Sequence, residues 1–474
     1  MKNNYRVTIG LEVHLNLKTG TKLFCGCRND PSGEPNTHVC PVCTGQPGTL
    51  PVMSREALSK ALTAASALGA SVRPVSVFER KQYFYPDLPR NYQISQYKQP
   101  LAEGGTVEVS GRKIRINRVH MEEDAGKLIH EKNGSLVDLN RSGTPLVEIV
   151  TEPDIHSPSE AAEYLRTLRQ IMRYCGVSDC DMEKGSLRCD ANISLSAPGS
   201  ELGVKTEVKN MNSFRSVEKA LEYEVSRQAR VLGSGGKVTQ ETRLWDDDNQ
   251  VTKQMRSKEE AHDYRYFPDP DLPPLNVVSA EEERARASLP ELPQPRKRRF
   301  MNEFGLSEYD ASGLTQEKER ADYFEEALEV SGPENAKKLA NWILVELTGK
   351  VNSEGTGFTE HKVSPPLLGE LVGIIEKGTI SGKMGKDIFE KVWDTGRSPL
   401  EIVESEGSRQ ITSEDEITPL CREIINENPG LVKKYLNGKE TVVGAMIGEV
   451  MRKTGGRANP GLVKETLVRL IREK

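Results

Sequence analysis

A mixed α+β body over residues 1–293, a helical domain over 294–405 and a small all-α tail over 406–474 are expected of this 474-residue chain. Three observations carry that expectation. Period-two alternation and short β-prone runs dominate the first 290 residues, prolines cluster near 268–274 and 289–295, and the later segments show helical spacing. A chain of this length exceeds one hydrophobic core, so two to four domains with exposed linkers are expected.

Tyr5 to Leu17 alternates as a half-buried strand does, and Ser54 to Leu68 repeats Ala and Leu at helical spacing. Strands are expected at Thr106–Val109, Lys113–Val119, Leu136–Asn140 and Leu146–Val150, separated by Gly-containing turns. Ser157-Pro-Ser-Glu160 opens a helix running through Ala161–Tyr174: a serine cap, a first-turn proline and a glutamate placed to complete a capping box. A second helix, Ser216–Leu232, sits beside strands at Ala191–Leu195 and Val204–Lys209. Pro268-Asp-Pro-Asp-Leu-Pro-Pro274 and Leu289-Pro-Glu-Leu-Pro-Gln-Pro-Arg-Lys-Arg-Arg299 predict an extended connector, because proline lacks the amide that regular structure needs. Helices then follow at Ala321–Val330, Ala336–Leu347, Pro366–Lys377 and Lys383–Thr395, and an acidic Ser405–Glu416 stretch precedes a helical module expected to begin at Pro419.

Composition narrows the function classes. Apolar residues are 36% and charged residues 28%, enough for several cores and too apolar for general disorder. No run approaches the roughly 18 apolar residues of a membrane helix, and the N-terminus lacks a signal-peptide core, so a cytoplasmic location is expected. A net charge of −5 confines any nucleic-acid surface to a local patch. Residues 431–474 supply one, with ten Lys/Arg against four Asp/Glu; Lys433, Lys434, Arg452, Lys453, Arg457 and Lys464 could face phosphates or simply a solvated helical face.

Cys25-Gly-Cys27 and Cys40-Pro-Val-Cys43 have the spacing of a four-thiolate zinc site, and the remaining cysteines pair with nothing. Four sulfurs leave no open coordination position, so such a zinc would hold a knuckle together and perform no hydrolysis. Glu12 and His14 would share one face of a strand, with Leu11, Val13 and Leu15 on the other. His120, Glu122, Glu123, Asp124 and Glu148 add further donors, Glu148 within an apolar run where a lone carboxylate is costly. Together these suit a hard cation such as magnesium, which keeps waters and phosphates as its other ligands; taken singly, each is more readily a strand-edge charge in solvent than a ligand. Phosphate-loop, esterase-elbow and kinase signatures are absent. Cations beside Tyr83-Phe-Tyr85 could stack on a nucleotide or an RNA end, or the tyrosines could be buried strand residues.

Ile9-Gly-Leu-Glu-Val-His14, Tyr83-Phe-Tyr-Pro-Asp87, Tyr92-Gln-Ile-Ser-Gln96, His120-Met-Glu-Glu-Asp-Ala-Gly-Lys127, Val137-Asp-Leu-Asn-Arg141, Gly185-Ser-Leu-Arg-Cys-Asp-Ala-Asn192, Lys209-Asn-Met-Asn-Ser-Phe214 and Asp263-Tyr-Arg-Tyr-Phe-Pro268 together resemble the B subunits of glutamyl/aspartyl-tRNA amidotransferases. The resemblance implies a large cradle domain bearing the knuckle, a helical domain and a tRNA-binding tail. It also implies ATP- and magnesium-dependent activation of Glu on tRNA(Gln), or Asp on tRNA(Asn), followed by transamidation with ammonia. A glutaminase (amidase) A subunit would make that ammonia, and a small C subunit would complete a heterotrimer. On this sequence the metal set falls on Glu12, His14, Glu122 or Glu123, and Glu148, with Arg80, Lys81 and Arg90 as phosphate-neutralising residues and a purely structural zinc. A zinc-containing RNA-binding scaffold without catalysis, and the archaeal paralogue serving tRNA(Gln) alone, are the alternatives.

Overall fold

The computed structural model describes residues 5–257, 264–407, 410–411 and 413–473. Packing divides the chain into two units, Met1–Leu292 and Pro293–Lys474.

In the first unit the early alternation becomes strand Arg6–Asn16, with Ile9, Leu11, Val13 and Leu15 fully buried. Thr8, Gly10, Glu12 and His14 therefore project from its other face. This strand is central to a ten-stranded sheet. From one edge the order is Val251–Ser257, Glu241–Asp246, Thr206–Lys209, Leu187–Ser196, Arg6–Asn16, Pro145–Thr151, Arg112–Glu123, Ala102–Glu103 and Ser71–Val72, with Thr106–Val109 also paired to Arg112–Glu123. Only Thr206–Lys209 and Glu241–Asp246 pair in parallel among the described strands.

Helices Arg55–Ala67, Pro158–Tyr174 and Phe214–Gly233 contribute Leu58, Leu62, Leu165, Leu168, Val217 and Leu221 to the core that holds the apolar strand side chains. Burial of each such side chain contributes about 1.5–3 kcal/mol. One sheet face is thereby committed to packing and the other is left polar. Ser157 caps its helix as expected, accepting the Glu160 N–H at 3.2 Å. The capping box closes one residue early, however, for Glu160 accepts the His156 N–H at 2.7 Å.

The second proline cluster does not form an extended connector throughout. A helix, Pro293–Phe304, starts inside it. Pro293 and Pro295 fall in the first turn, where backbone N–H groups have no intrahelical acceptor, so proline costs nothing there. At the first cluster, Phe267–Pro268 pairs with Glu79 and Arg80, returning the chain to the first unit. The second unit has a core containing Phe300, Phe324, Leu339, Leu371 and Phe389, and a separate one containing Ile417, Ile424, Met446, Val463 and Leu467. Pro419 does not open the terminal module: it lies inside helix Glu414–Glu427. Packing of Ile417, Cys421 and Ile424 outweighs the one lost amide bond. Trp342–Leu347 adopts a π-helical turn within the expected Ala336–Leu347 helix. No helix among the described residues is long and apolar enough to cross a membrane.

Candidate active site

Register across four strands builds the site. Arg188 is opposite His14, His14 is opposite Glu148, and Glu148 is opposite His120, a continuous row over the polar sheet face. Directly opposed side chains begin only about 5 Å apart, so the row must interact. His14 Nε2 lies 3.4 Å from Glu122 Oε1 and 3.3 Å from Glu148 Oε2, while His120 Nε2 is 3.2 Å from the same Glu148 oxygen. Arg118 Nε donates to His120 Nδ1 at 3.4 Å, and Ser95 donates to Glu122 at 3.1 Å.

Burial alone would depress the His14 imidazole, but Glu148, with Glu122 behind it, outweighs burial and raises it to about 9. Burial likewise opposes charge on Glu148, yet His120 and His14 hold its carboxyl well below the usual range. His14, Glu122 and Glu148 each present one donor atom within 4.8 Å of the others. Adjacent ligands of an octahedral cation with bonds near 2.1 Å stand ~3 Å apart, so this set fits a hard dication that also accepts an imidazole, magnesium or manganese.

His14 and Glu122 line a cavity of about 280 Å³ together with Lys81, Tyr83, Asp124, Arg141 and Arg188, and Glu148 touches it only through His14. Lys81 lies 5.2 Å from the Tyr264 ring centre and 5.8 Å from that of Tyr83. Burial opposes its charge, but Glu122 and Glu148 raise its ammonium above the ordinary range. Arg188 donates to Asp124 at 2.8 Å. The lysine is visible in the sequence. Arg188 and Arg141 are not, although both sit in motifs quoted above, because nothing local distinguishes them from surface arginines.

The remaining expected site residues stand elsewhere. Glu123 follows Glu122 and so points to the opposite face, where it pairs with Arg90 and accepts the Ile94 N–H at 3.1 Å. Arg80 is committed to Asp269 at 3.0 Å and Asp271 at 2.9 Å. Neither Arg80 nor Arg90 lines the cavity. Glu12 lies one step along the strand from His14 and borders a neighbouring cavity of about 350 Å³, accepting from Asn192 at 2.9 Å. Burial, reinforced by Glu148 and Glu207, pushes its carboxyl upward.

Cys25, Cys27, Cys40 and Cys43 gather with their sulfurs within 4.8 Å of one another. Tetrahedral zinc at ~2.3 Å from each sulfur requires S···S separations of ~3.8 Å; Cys40 and Cys43 Sγ stand 3.9 Å apart. Four thiols with no carboxylate among them suit a structural site. In the tail, Lys433, Lys434, Arg452, Lys453, Arg457 and Lys464 are all exposed, and Lys453 is paired with Glu423 at 3.0 Å and Glu427 at 2.9 Å. Asp263 of the Asp-Tyr-Arg-Tyr-Phe-Pro motif lies outside the described residues.

Comparison with known proteins covers most of the chain. Residues 7–283 match the family described as the GatB/GatE catalytic domain, and residues 322–471 match the GatB domain. The chain is 52% identical to the B subunit of the aspartyl/glutamyl-tRNA(Asn/Gln) amidotransferase of Persephonella marina, covering 99% of this chain and 100% of the relative. The proteins of the same name from Carboxydothermus hydrogenoformans and Thermodesulfovibrio yellowstonii are 51% and 50% identical, over 98% and 99% of this chain and 98% and 100% of theirs.

Proposed function

The chain belongs to the family of amidotransferase B subunits, and from that membership we propose that its sheet-face cavity activates the side-chain carboxylate of Glu on tRNA(Gln) or Asp on tRNA(Asn) with ATP. The observation that carries the reading is the convergence of His14, Glu122 and Glu148, with His14 and Glu122 at the cavity wall beside Lys81. These three residues would hold magnesium. When bound, the cation supplies charge neutralisation at phosphate oxygens and on the transferring phosphoryl group.

The chain's own residues do the rest by position and charge. Lys81 and Arg188 offer cationic partners to the phosphates, and His120, 3.2 Å from Glu148, orients that carboxylate. The substrate carboxylate oxygen attacks the γ-phosphorus as the bond to the bridging oxygen breaks, giving an acyl phosphate and ADP. Since that carboxylate is already ionised near neutral pH, the step needs no general base. Ammonia then attacks the acyl carbon, phosphate leaves, and the excess proton on nitrogen passes to solvent. The new amide is Gln-tRNA(Gln) or Asn-tRNA(Asn).

Ammonia would come from a glutaminase A subunit, with a small C subunit completing a cytoplasmic heterotrimer. The four cysteines would hold a structural zinc, and the basic tail would meet the tRNA backbone. With its partner subunits, the chain is expected to convert Glu-tRNA(Gln) to Gln-tRNA(Gln) using ATP and glutamine. His14→Ala should abolish ATP-dependent activation while glutaminase activity persists. Full activation in the His14 variant would reject the cavity as the site and favour a non-catalytic RNA-binding scaffold.

A further inference from the structure

The segment that closes one side of the cavity is also the segment against which the cysteine knuckle is built. From the knuckle side, the Asn36 backbone N–H donates to Asp138 at 3.0 Å, and its side chain accepts the Leu139 N–H at 2.8 Å. From the other side, the fully buried Asn140 accepts the His38 N–H at 2.9 Å and donates to the Glu34 carbonyl at 2.7 Å. Ser142 Oγ donates to the Cys43 carbonyl at 3.1 Å.

A charge completes the connection. Lys22 has no exposed surface, and its ammonium sits 3.6 Å from Cys43 Sγ and 3.2 Å from the Leu139 carbonyl. Such burial is costly for an uncompensated cation. Four thiolates around one dication carry net negative charge, which would offset it. Between Asn140 and Ser142 the same segment carries Arg141, which donates to the Ala125 and Gly126 carbonyls at 3.0 and 2.6 Å and lines the cavity.

We propose that metal loading of the knuckle holds residues 138–144, and through them Arg141, at the cavity, so that Lys22, Asn36 and Asn140 are positioning residues for its cationic wall. Only the identity of what Arg141 meets there rests on the functional reading above.

Amide hydrogen exchange on the full chain, zinc-loaded and after chelation, tests the coupling directly. Exchange at Leu139, Asn140 and Gly143 is expected to accelerate about tenfold or more on metal removal, while the Phe214–Gly233 helix stays protected. Asn140→Ala removes the bonds to the His38 N–H and to the Gly33 and Glu34 carbonyls and risks misfolding, so Asn36→Gly is the second variant. Asn36 has φ of 59°, a conformation that glycine adopts freely. Asn36→Gly is expected to retain zinc, to exchange faster at Leu139, and to raise KM for ATP about threefold or more with kcat little changed. Unchanged exchange on zinc removal overturns the proposal, as does a uniform rise that includes the Phe214–Gly233 helix. If the unmodified complex shows no ATP-dependent activation, the functional reading fails, and the exchange result still decides the coupling.

Discussion

His14 lies between two buried carboxylates, so a proton on its imidazole would compete with a cation bound as proposed. Its folded value of about 9 lies above the ~6.5 of an unfolded chain, because Glu148 and Glu122 outweigh burial. The stabilisation this gives the metal-free chain is complete below about pH 6.5 and disappears as pH rises through about 9. Metal binding through neutral imidazole runs the other way. Magnesium or manganese affinity is predicted to climb about tenfold per pH unit up to about pH 9, with one proton released. Calorimetry in two buffers of different ionisation enthalpy reads that proton, and a flat affinity over this range removes His14 from the ligand set. The neighbouring pair Glu122 and Glu123 separates chemistry from structure. Glu123→Gln breaks a buried pair with Arg90 and should cost about 3–5 kcal/mol, seen as a lowered Tm. Glu122→Gln should abolish activation with a smaller fall in Tm; the reverse ranking would exchange their roles. Strand alternation alone says that adjacent glutamates face apart, but which face holds the cavity required the neighbouring strands.

At the scale of elements, the strands were readable because alternation and burial coincide: Arg6–Asn16 and Pro145–Thr151 match the expected segments to within a residue at each end. Prolines were less transparent. Pro293 and Pro419 lie in helices because their sequence symbols do not reveal which amides already lack acceptors or which neighbours are packed. The tail helices make a graded prediction. Lys433 and Lys434 are exposed in helix Pro429–Leu436, whereas Lys453 is already neutralised by Glu423 and Glu427. The double variant Lys433→Ala, Lys434→Ala should weaken tRNA binding and flatten the logarithmic salt dependence by roughly 2, while Lys453→Ala changes both less. Filter binding across a salt series measures this; equal effects from all three would mean that the surface is merely solvated.

For the whole molecule, the knuckle is the feature most open to direct measurement. Elemental analysis should find about one zinc per chain, and none in the Cys40→Ser, Cys43→Ser variant. Zinc in that variant at the original stoichiometry would move the metal elsewhere. The two-pair cysteine spacing, the polar-beside-apolar strand at Glu12 to His14, the helical second half and the family resemblance were all present in residue order, because each depends on neighbours a few positions away. The cluster of His14, Glu122 and Glu148, the diversion of Arg80 and Arg90 into ion pairs, and the bonding of the knuckle to Asn140 were settled only by folding. Those relations join residues tens to hundreds of positions apart, and a one-residue slip in strand register would turn every side chain of the strand to the other face.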